Sequence, residues 1–250
     1  MNIYFLGTGA GTEPLKNIYH QSFAIETGGS VYFFDAGEGC SRRAHFAGVD
    51  LLKTKAVFIT HTHMDHVAGL GGLLWNMRKL HSNVGYQGYV SPKLVCIPNI
   101  STYDAYMTIL KNSEGGFDAR FDVEGKEYSK GEIYRDFNIS VTAFPTSHTN
   151  SSYSFVIKCE GKTLVYSGDI AKISDLDAPI GEACDALICE TAHISLEDVC
   201  KYANTKNTDK LFLVHNGREV LYSRTQSELK AKRLFGENAI VANDLMTISL

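Results

Sequence analysis

The stretch at 56–74, A-V-F-I-T-H-T-H-M-D-H-V-A-G-L-G-G-L-L, constrains this chain more than any other. A β-rich apolar run at 56–59 leads into His61, His63, Asp65 and His66, four candidate metal ligands within six residues. On a helix, residues two apart lie about 200° around the axis from each other, so His61 and His63 could not share an ion there. On extended backbone, i and i+2 point the same way. The pair therefore suits one ion as the chain leaves a strand, and Asp65 with His66, where the chain turns towards the next helix, can reach a second beside it. Imidazole with carboxylate is a donor set for zinc, or for manganese or iron. Ordinary polar loop residues are the competing description, and this density in a chain with nine histidines argues against it.

At 250 residues, with 44% hydrophobic and 21% charged residues, the chain is long enough to bury a substantial core as a single domain spanning 1–250. The net charge of −4 argues against a generic polyanion binder, so any nucleic-acid contact would need local cationic patches. The N-terminus, M-N-I-Y-F-L-G-T-G-A, has no basic leader region and reaches glycine after a few apolar residues. That pattern predicts neither a signal peptide nor a membrane span, and a cytoplasmic protein. Cys40, Cys96, Cys159, Cys184, Cys189 and Cys200 are scattered without a C-x-x-C pair, which in that compartment predicts reduced, buried thiols.

The rest of the chain repeats one arrangement, a strand followed by a residue able to bind metal. A strand at 2–6 runs into G-T-G-A-G at 7–11, a weak match to a dinucleotide fingerprint with Pro14 soon after, so it reads as a tight loop. Glu13, Lys16 and His20 follow on that loop and could line a pocket. Strands at 22–26 and 31–34 form a hairpin about Gly28-Gly29 and deliver Asp35, read as an acceptor for an imidazole N–H rather than a ligand. A helix is expected at 38–46, and another at 67–80, where Gly69, Gly71 and Gly72 signal close packing. A strand at 93–97 precedes a helix at 101–110 with Ser101 as N-cap, and 113–136 reads as edge strands and loop.

Further on, a strand at 137–144 delivers His148, and a hairpin of strands 153–158 and 163–166 about Glu160-Gly161 delivers Asp169. A strand at 186–189 leads to Glu190 and His193 ahead of a helix at 195–203. The strand at 210–214 delivers His215, then Asn216 and Arg218, and a helix runs through Phe235 before short strands at 239–242 and 246–249. Together these strand ends supply seven ligands, the number two adjacent ions need: His61, His63 and His148 for one, Asp65, His66 and His215 for the other, with Asp169 bridging.

These motifs resemble the metallo-β-lactamase superfamily and, within it, the ribonuclease Z-like branch. The resemblance rests on G-T-G-A-G at 7–11, F-D-A-G-E-G at 34–39, T-H-T-H-M-D-H-V-A-G-L at 60–70, S-H-T at 147–149, S-G-D at 167–169, V-H at 214–215 and V-A-N-D-L-M-T-I at 241–248. It implies an α/β chain folded as an αββα sandwich, two mixed sheets with helices outside. It also implies a hydrolase whose nucleophile is a hydroxide held between two divalent ions about 3.5–4 Å apart, zinc first and manganese or iron as alternatives. Asp65 would orient or deprotonate the water. His193, paired with Glu190, resembles the branch's histidine that assists the leaving group; a helix-start residue without catalytic use is the alternative. Arg218 could clamp a phosphate bidentately, with Asn216 and His20 as further substrate contacts.

The sequence also departs from bacterial ribonuclease Z. One short hairpin separates His148 from Asp169, leaving no length for a protruding tRNA-gripping arm. The branch's H-E-A-T and G-H-S-T segments are compressed into E-T-A-H-I-S, and its H-F-S-x-R is replaced by H-N-G-R. The expected substrate is therefore a small or cyclic phosphodiester. A tRNA 3′-end endonuclease comes second, supported if Arg42, Arg43, Arg78 and Lys79 form a basic stripe; a thioester or lactone hydrolase comes third, supported by an apolar pocket without Arg218. A binding protein on a retired fold would lack a ligand, and none is missing. Dimers are frequent in the branch, so a homodimer is the assembly to test.

Overall fold

β-Branched and aromatic runs recur along the chain and build two sheets of one design. The computed structural model describes residues 1–11, 15–83, 90–118 and 121–250, so Glu13 and Pro14 lie outside the described residues. The elements begin with β1 (Asn2–Gly7), β2 (Ser22–Thr27), β3 (Ser30–Phe34), α1 (Cys40–Phe46), β4 (Thr54–Phe58), α2 (Met64–Val67), α3 (Leu70–Asn83), β5 (Val90–Ile97), α4 (Ile100–Asn112) and β6 (Phe121–Glu127). There follow β7 (Gly131–Arg135), β8 (Ile139–Pro145), β9 (Tyr153–Cys159), β10 (Lys162–Tyr166), α5 (Asp177–Ile180), β11 (Cys184–Glu190) and α6 (Leu196–Thr205). β12 (Thr208–Val214), α7 (Arg218–Tyr222), α8 (Arg224–Phe235), β13 (Ala239–Val241) and β14 (Met246–Ser249) complete the chain. They fall into two compact units, Met1–Gly7 with Tyr19–Tyr128 and Leu245–Leu250, and Thr8–Ile18 with Ser129–Asp244.

The first unit holds a seven-stranded sheet in the order β14-β1-β2-β3-β4-β5-β6, antiparallel up to β3 and parallel from β3 to β6. Its strands bury alternate residues such as Leu6, Phe33, Val57 and Val95 against Leu70, Leu73 and Met77 of α3 and Tyr103 and Met107 of α4. The other set of alternate positions carries a ladder of rings. Phe23, Phe34 and Phe58 stand directly opposite one another on β2, β3 and β4, with centroids 4.9 and 5.1 Å apart. Such pairs add about 0.5–1.5 kcal/mol each beyond the area they bury.

Lys93 on β5 is 2% exposed. Its Nζ donates to the carbonyls of Leu52 and Thr54 at 3.0 and 2.5 Å, and burial, with Lys55 nearby, lowers its pKa from 10.5 to about 8. Between those two values the unfolded chain holds the proton more tightly than the folded one, so stability rises with pH across that window and is fully penalised below it. In urea melts the wild type should gain up to about 1.4 kcal/mol per pH unit between pH 8 and 10. Lys93→Met should abolish that rise; an equal slope in both proteins would contradict the assignment.

The second unit repeats the design with β13-β12-β11-β10-β9-β8-β7, antiparallel from β7 to β10 and parallel from β10 to β13. Val165, Leu187 and Leu211 pack against Leu196, Val199 and Ala203 of α6 and Ala231 of α8. The expected α/β class with two mixed sheets is thus what the chain forms, and 113–136 does supply edge strands, β6 for one sheet and β7 for the other. All six cysteines are buried free thiols, and among the described residues no helix is long and apolar enough to cross a membrane.

Three local expectations are corrected. The helix expected at 67–80 starts at Leu70 and is separated from α2, because Gly69 donates to Ala36 O at 2.8 Å, where a Cβ would stand 2.2 Å from Gly37 O. Gly71 lies under the Tyr106 ring as close packing requires, whereas a Cβ at Gly72 would meet nothing within 4 Å. Asn99, not Ser101, caps α4, its Oδ1 accepting from Ser101 N at 3.1 Å. Finally, the helix through Phe235 is two helices parted at Ser223, whose φ of −131° and ψ of 40° are not helical.

Candidate metal centre

In the first unit the ligand loop is anchored from behind by Asp35. This residue follows β3 with φ 55°, a left-handed conformation that an aspartate tolerates better than most residues, and its N–H donates to Phe58 O at 2.8 Å. Its buried carboxylate accepts from Thr60 N at 2.7 Å and Thr60 Oγ1 at 3.0 Å through Oδ1, and its Oδ2 lies 2.8 Å from His66 Nδ1. A carboxylate at Nδ1 fixes that ring's tautomer and leaves Nε2 as the lone-pair nitrogen. His66 Nε2 in turn faces Asp65 Oδ2 at 3.7 Å.

His61 is held the same way, its Nδ1 3.1 Å from Thr60 Oγ1, and its Nε2 approaches His63 Nδ1 to 3.0 Å. The His61 and His66 ring centroids are 4.2 Å apart. Ring nitrogens converging from rings oriented at their far sides are what a cation needs, so these residues fit a metal. The loop is also pinned at Gly37, where a Cβ would lie 2.7 Å from Asp65 O and 2.7 Å from His20 Cβ, which places His20 beside it.

In the second unit, strand ends gather His148, Asp169, Glu190, His193 and His215. Donor atoms of Asp169, Glu190, His193 and His215 all lie within 4.8 Å of one another. The two oxygens of Asp169 face different imidazoles: Oδ2 is 3.6 Å from His148 Nε2, and Oδ1 is 3.4 Å from His215 Nδ1. His215 sits at φ 41°, and strain of this kind, about 1–3 kcal/mol, persists where surroundings over-determine it. Here Asn216 N donates to Thr8 O at 2.7 Å and Ala10 N to Asn216 O at 3.2 Å, while a Cβ at Gly217 would come within 2.9 Å of Ala192 Cα.

Glu190 is fully buried. It accepts from Ile170 N at 2.6 Å and His193 N at 2.8 Å, and its Oε2 lies 2.8 Å from His193 Nδ1. Burial alone would raise the Glu190 pKa, but its hydrogen bonds to His193 and His215 bring it below the usual value; His193 is raised, chiefly by Glu190. Asn216, expected at the substrate, is fully buried: its Oδ1 accepts from Thr191 Oγ1 at 3.0 Å, and its backbone N–H and C=O secure the 7–11 loop. Arg218 is exposed at the first residue of α7.

Thr60, Asp175 and Asp244 are supports that sequence reasoning passed over. Asp175 accepts from Ser147 N at 3.0 Å, beside His148, and Asp244 Oδ1 accepts from Thr8 N at 2.9 Å. Thr60 stood inside T-H-T-H and could have been read as a partner for Asp35; Asp175 stands in no motif.

Comparison with known proteins agrees with this architecture. The chain is 25% identical over 311 residues to ribonuclease Z of Methanothermobacter thermautotrophicus, covering 100% of this chain and 97% of that protein. Its fold matches the metallo-β-lactamase fold protein YhfI of Bacillus subtilis (TM-score 0.78, 19% identity, 99% and 98% covered). It also matches the short form of human tRNase Z (TM-score 0.76, 20% identity, 100% and 99% covered). The chain is therefore a ribonuclease Z-like hydrolase on the metallo-β-lactamase fold. Residues 1–234 match the model of the Anti-Pycsar protein Apyc1 family, and the chain belongs to that family.

Proposed function

We propose that this hydrolase of phosphodiester bonds cleaves a small or cyclic phosphodiester in the cytoplasm, using two divalent ions, zinc by preference for so many nitrogen donors. His61, His63 and His148 would hold one ion and Asp65, His66 and His215 the other, with Asp169 shared; the opposed contacts of its two oxygens support that role. When bound, the ions supply Lewis acidity that makes water nucleophilic near neutral pH and offsets charge on phosphoryl oxygens. Asp65 takes the attacking water's proton. His193, oriented by Glu190 through Nδ1, presents Nε2 to protonate the leaving oxygen. Arg218 and His20 are the candidate substrate contacts.

The observation that carries the small substrate is the chain between His148 and Asp169. It contains the strands β9 and β10, joined by a turn at Glu160-Gly161 with φ 49° and 75°, and no further helix or strand. The alignment with the archaeal ribonuclease Z spans 311 residues against 250 here, so that relative carries material this chain lacks. The cations of the expected basic stripe are engaged locally: Arg43 Nε donates to Leu6 O at 3.3 Å and Arg78 Nε to Asp118 O at 3.1 Å. Arg42 lies over Phe46.

The relatives' names keep tRNA precursors as the second substrate to test. Zinc- or manganese-loaded protein should hydrolyse bis(p-nitrophenyl) phosphate and at least one 3′,5′-cyclic mononucleotide, and should favour the cyclic nucleotide over a precursor tRNA by kcat/KM. A reversed preference would establish the ribonuclease reading, and absence of turnover on every phosphodiester would remove both.

A further inference from the structure

Two candidate ligands of the second unit, His148 and Asp169, stand on loops outside regular structure. His148 follows β8 and Asp169 follows β10, and β9 lies between those strands. Strands two apart are separated by about 9.5 Å, so the 3.6 Å between His148 Nε2 and Asp169 Oδ2 depends on how the two loops are held.

Two straps hold them. On the buried side, Thr146 Oγ1 donates to Asp169 O at 2.8 Å. On the outer side, the half-buried Asp175 carboxylate takes donors from both loops: Ser147 N at 3.0 Å and Ser147 Oγ at 2.7 Å from the first, and Ala171 N at 3.3 Å from the second. Asp175 belongs to a 3-10 turn at Ile173–Leu176, and its neighbour Leu176 is fully buried in the same core cluster as Ile170. The carboxylate is thus carried on anchored backbone. Beyond His148, Thr149 N donates to Ser152 Oγ at 2.9 Å, so the chain is pinned on both sides of the imidazole.

The partners of Asp175 are uncharged donors, which makes geometry rather than charge what it supplies. Its Oδ2 accepts the two backbone N–H groups, and its Oδ1 the hydroxyl. An amide could do the same work: its oxygen can take both N–H groups, and its NH2 can donate to Ser147 Oγ, since a hydroxyl accepts as well as donates. A methyl group could replace none of these contacts.

We infer that Asp175 is a positioning residue for the ion that His148 and Asp169 share, holding the two ligand loops at the separation that ion requires. This rests on the metal-centre reading above. Partners that orient metal ligands are worth about 10–100-fold in metal affinity.

Zinc titration of metal-free protein against a competing chelator measures the affinity for each ion and involves no substrate, so the choice of phosphodiester does not enter it. Asp175→Ala should weaken one of the two ions by about 10–100-fold and leave the other tightly bound. Asp175→Asn should restore the wild-type affinity. Ser147→Ala, at an exposed position, removes the hydroxyl contact alone; it should weaken the same ion by less, and added to Asp175→Ala it should have no further effect. Urea midpoints of all the variants separate positioning from folding. Unchanged zinc affinity in folded Asp175→Ala would overturn the assignment, and if that variant does not fold, wild-type affinity in Ser147→Ala would do so. Weakening of both ions in proportion to lost stability would also overturn it, as would an asparagine variant as impaired as the alanine one. Wild-type protein that takes up no zinc would overturn this inference together with the metal centre itself.

Discussion

Asp65→Ala is expected to cut phosphodiester hydrolysis by at least about 10³-fold while leaving the protein folded. General base catalysis alone contributes about 10²–10⁴-fold, and the same carboxylate is also a candidate ligand. Its position makes the substitution a clean one. Asp65 lies in the first turn of α2, its side chain is partly exposed, and its close neighbour is His66 Nε2 at 3.7 Å rather than the apolar core. The supports of the loop, Asp35, Thr60 and the Gly69 N–H to Ala36 O bond, remain in place. Surface substitutions away from such supports usually change stability by less than about 0.5 kcal/mol. Kinetics on bis(p-nitrophenyl) phosphate, metal content per chain and a urea midpoint give the three readouts. A folded variant that retains two ions and full turnover would sink the assigned role.

The histidine cluster was legible because its signal is local: ligand types, spacing and a strand before them all occur within one short stretch. The ends of β8, β10, β11 and β12 were legible for the same reason, as alternation or apolar runs stopping at a polar residue. What stayed hidden depends on contacts distant in sequence. Nothing near Asp175 announces that its carboxylate will accept from Ser147, 28 residues away, and nothing near Asp244 announces Thr8, 236 residues away. The break before α3 turned on Gly69 meeting Gly37, again a distant contact, whereas periodicity ran on through it. Asn216 looked like a substrate contact because it follows His215, yet the bridge between Gly9 and Asn216 draws it into the interior. The duplicated sheet plan leaves no repeat in the residues, since it is a repeat of strand direction and order, which many sequences satisfy.

His193→Ala should be selective for poor leaving groups. A ribose alkoxide leaving from a cyclic nucleotide needs a proton, and losing its donor should cost about 10²–10⁴-fold in kcat. The p-nitrophenolate leaving group is stable without one, so hydrolysis of bis(p-nitrophenyl) phosphate should fall far less. Glu190 acts through His193: its Oε2 holds Nδ1 at 2.8 Å and accepts from the backbone N–H at the same distance. In Glu190→Gln an amide N–H2 would face donors, the imidazole would lose its orientation, and the same leaving-group selectivity should appear. Groups that act as a unit are non-additive, so Glu190→Gln placed on His193→Ala should cost little more in kcat than His193→Ala alone. Because Glu190 is buried and also accepts from Ile170 N, the single variant will lose stability as well. The selectivity ratio between the two substrates, which a merely weakened fold would not move, is the deciding measurement. Equal losses on both substrates would mean that His193 and Glu190 serve the metals or the fold and not the leaving oxygen.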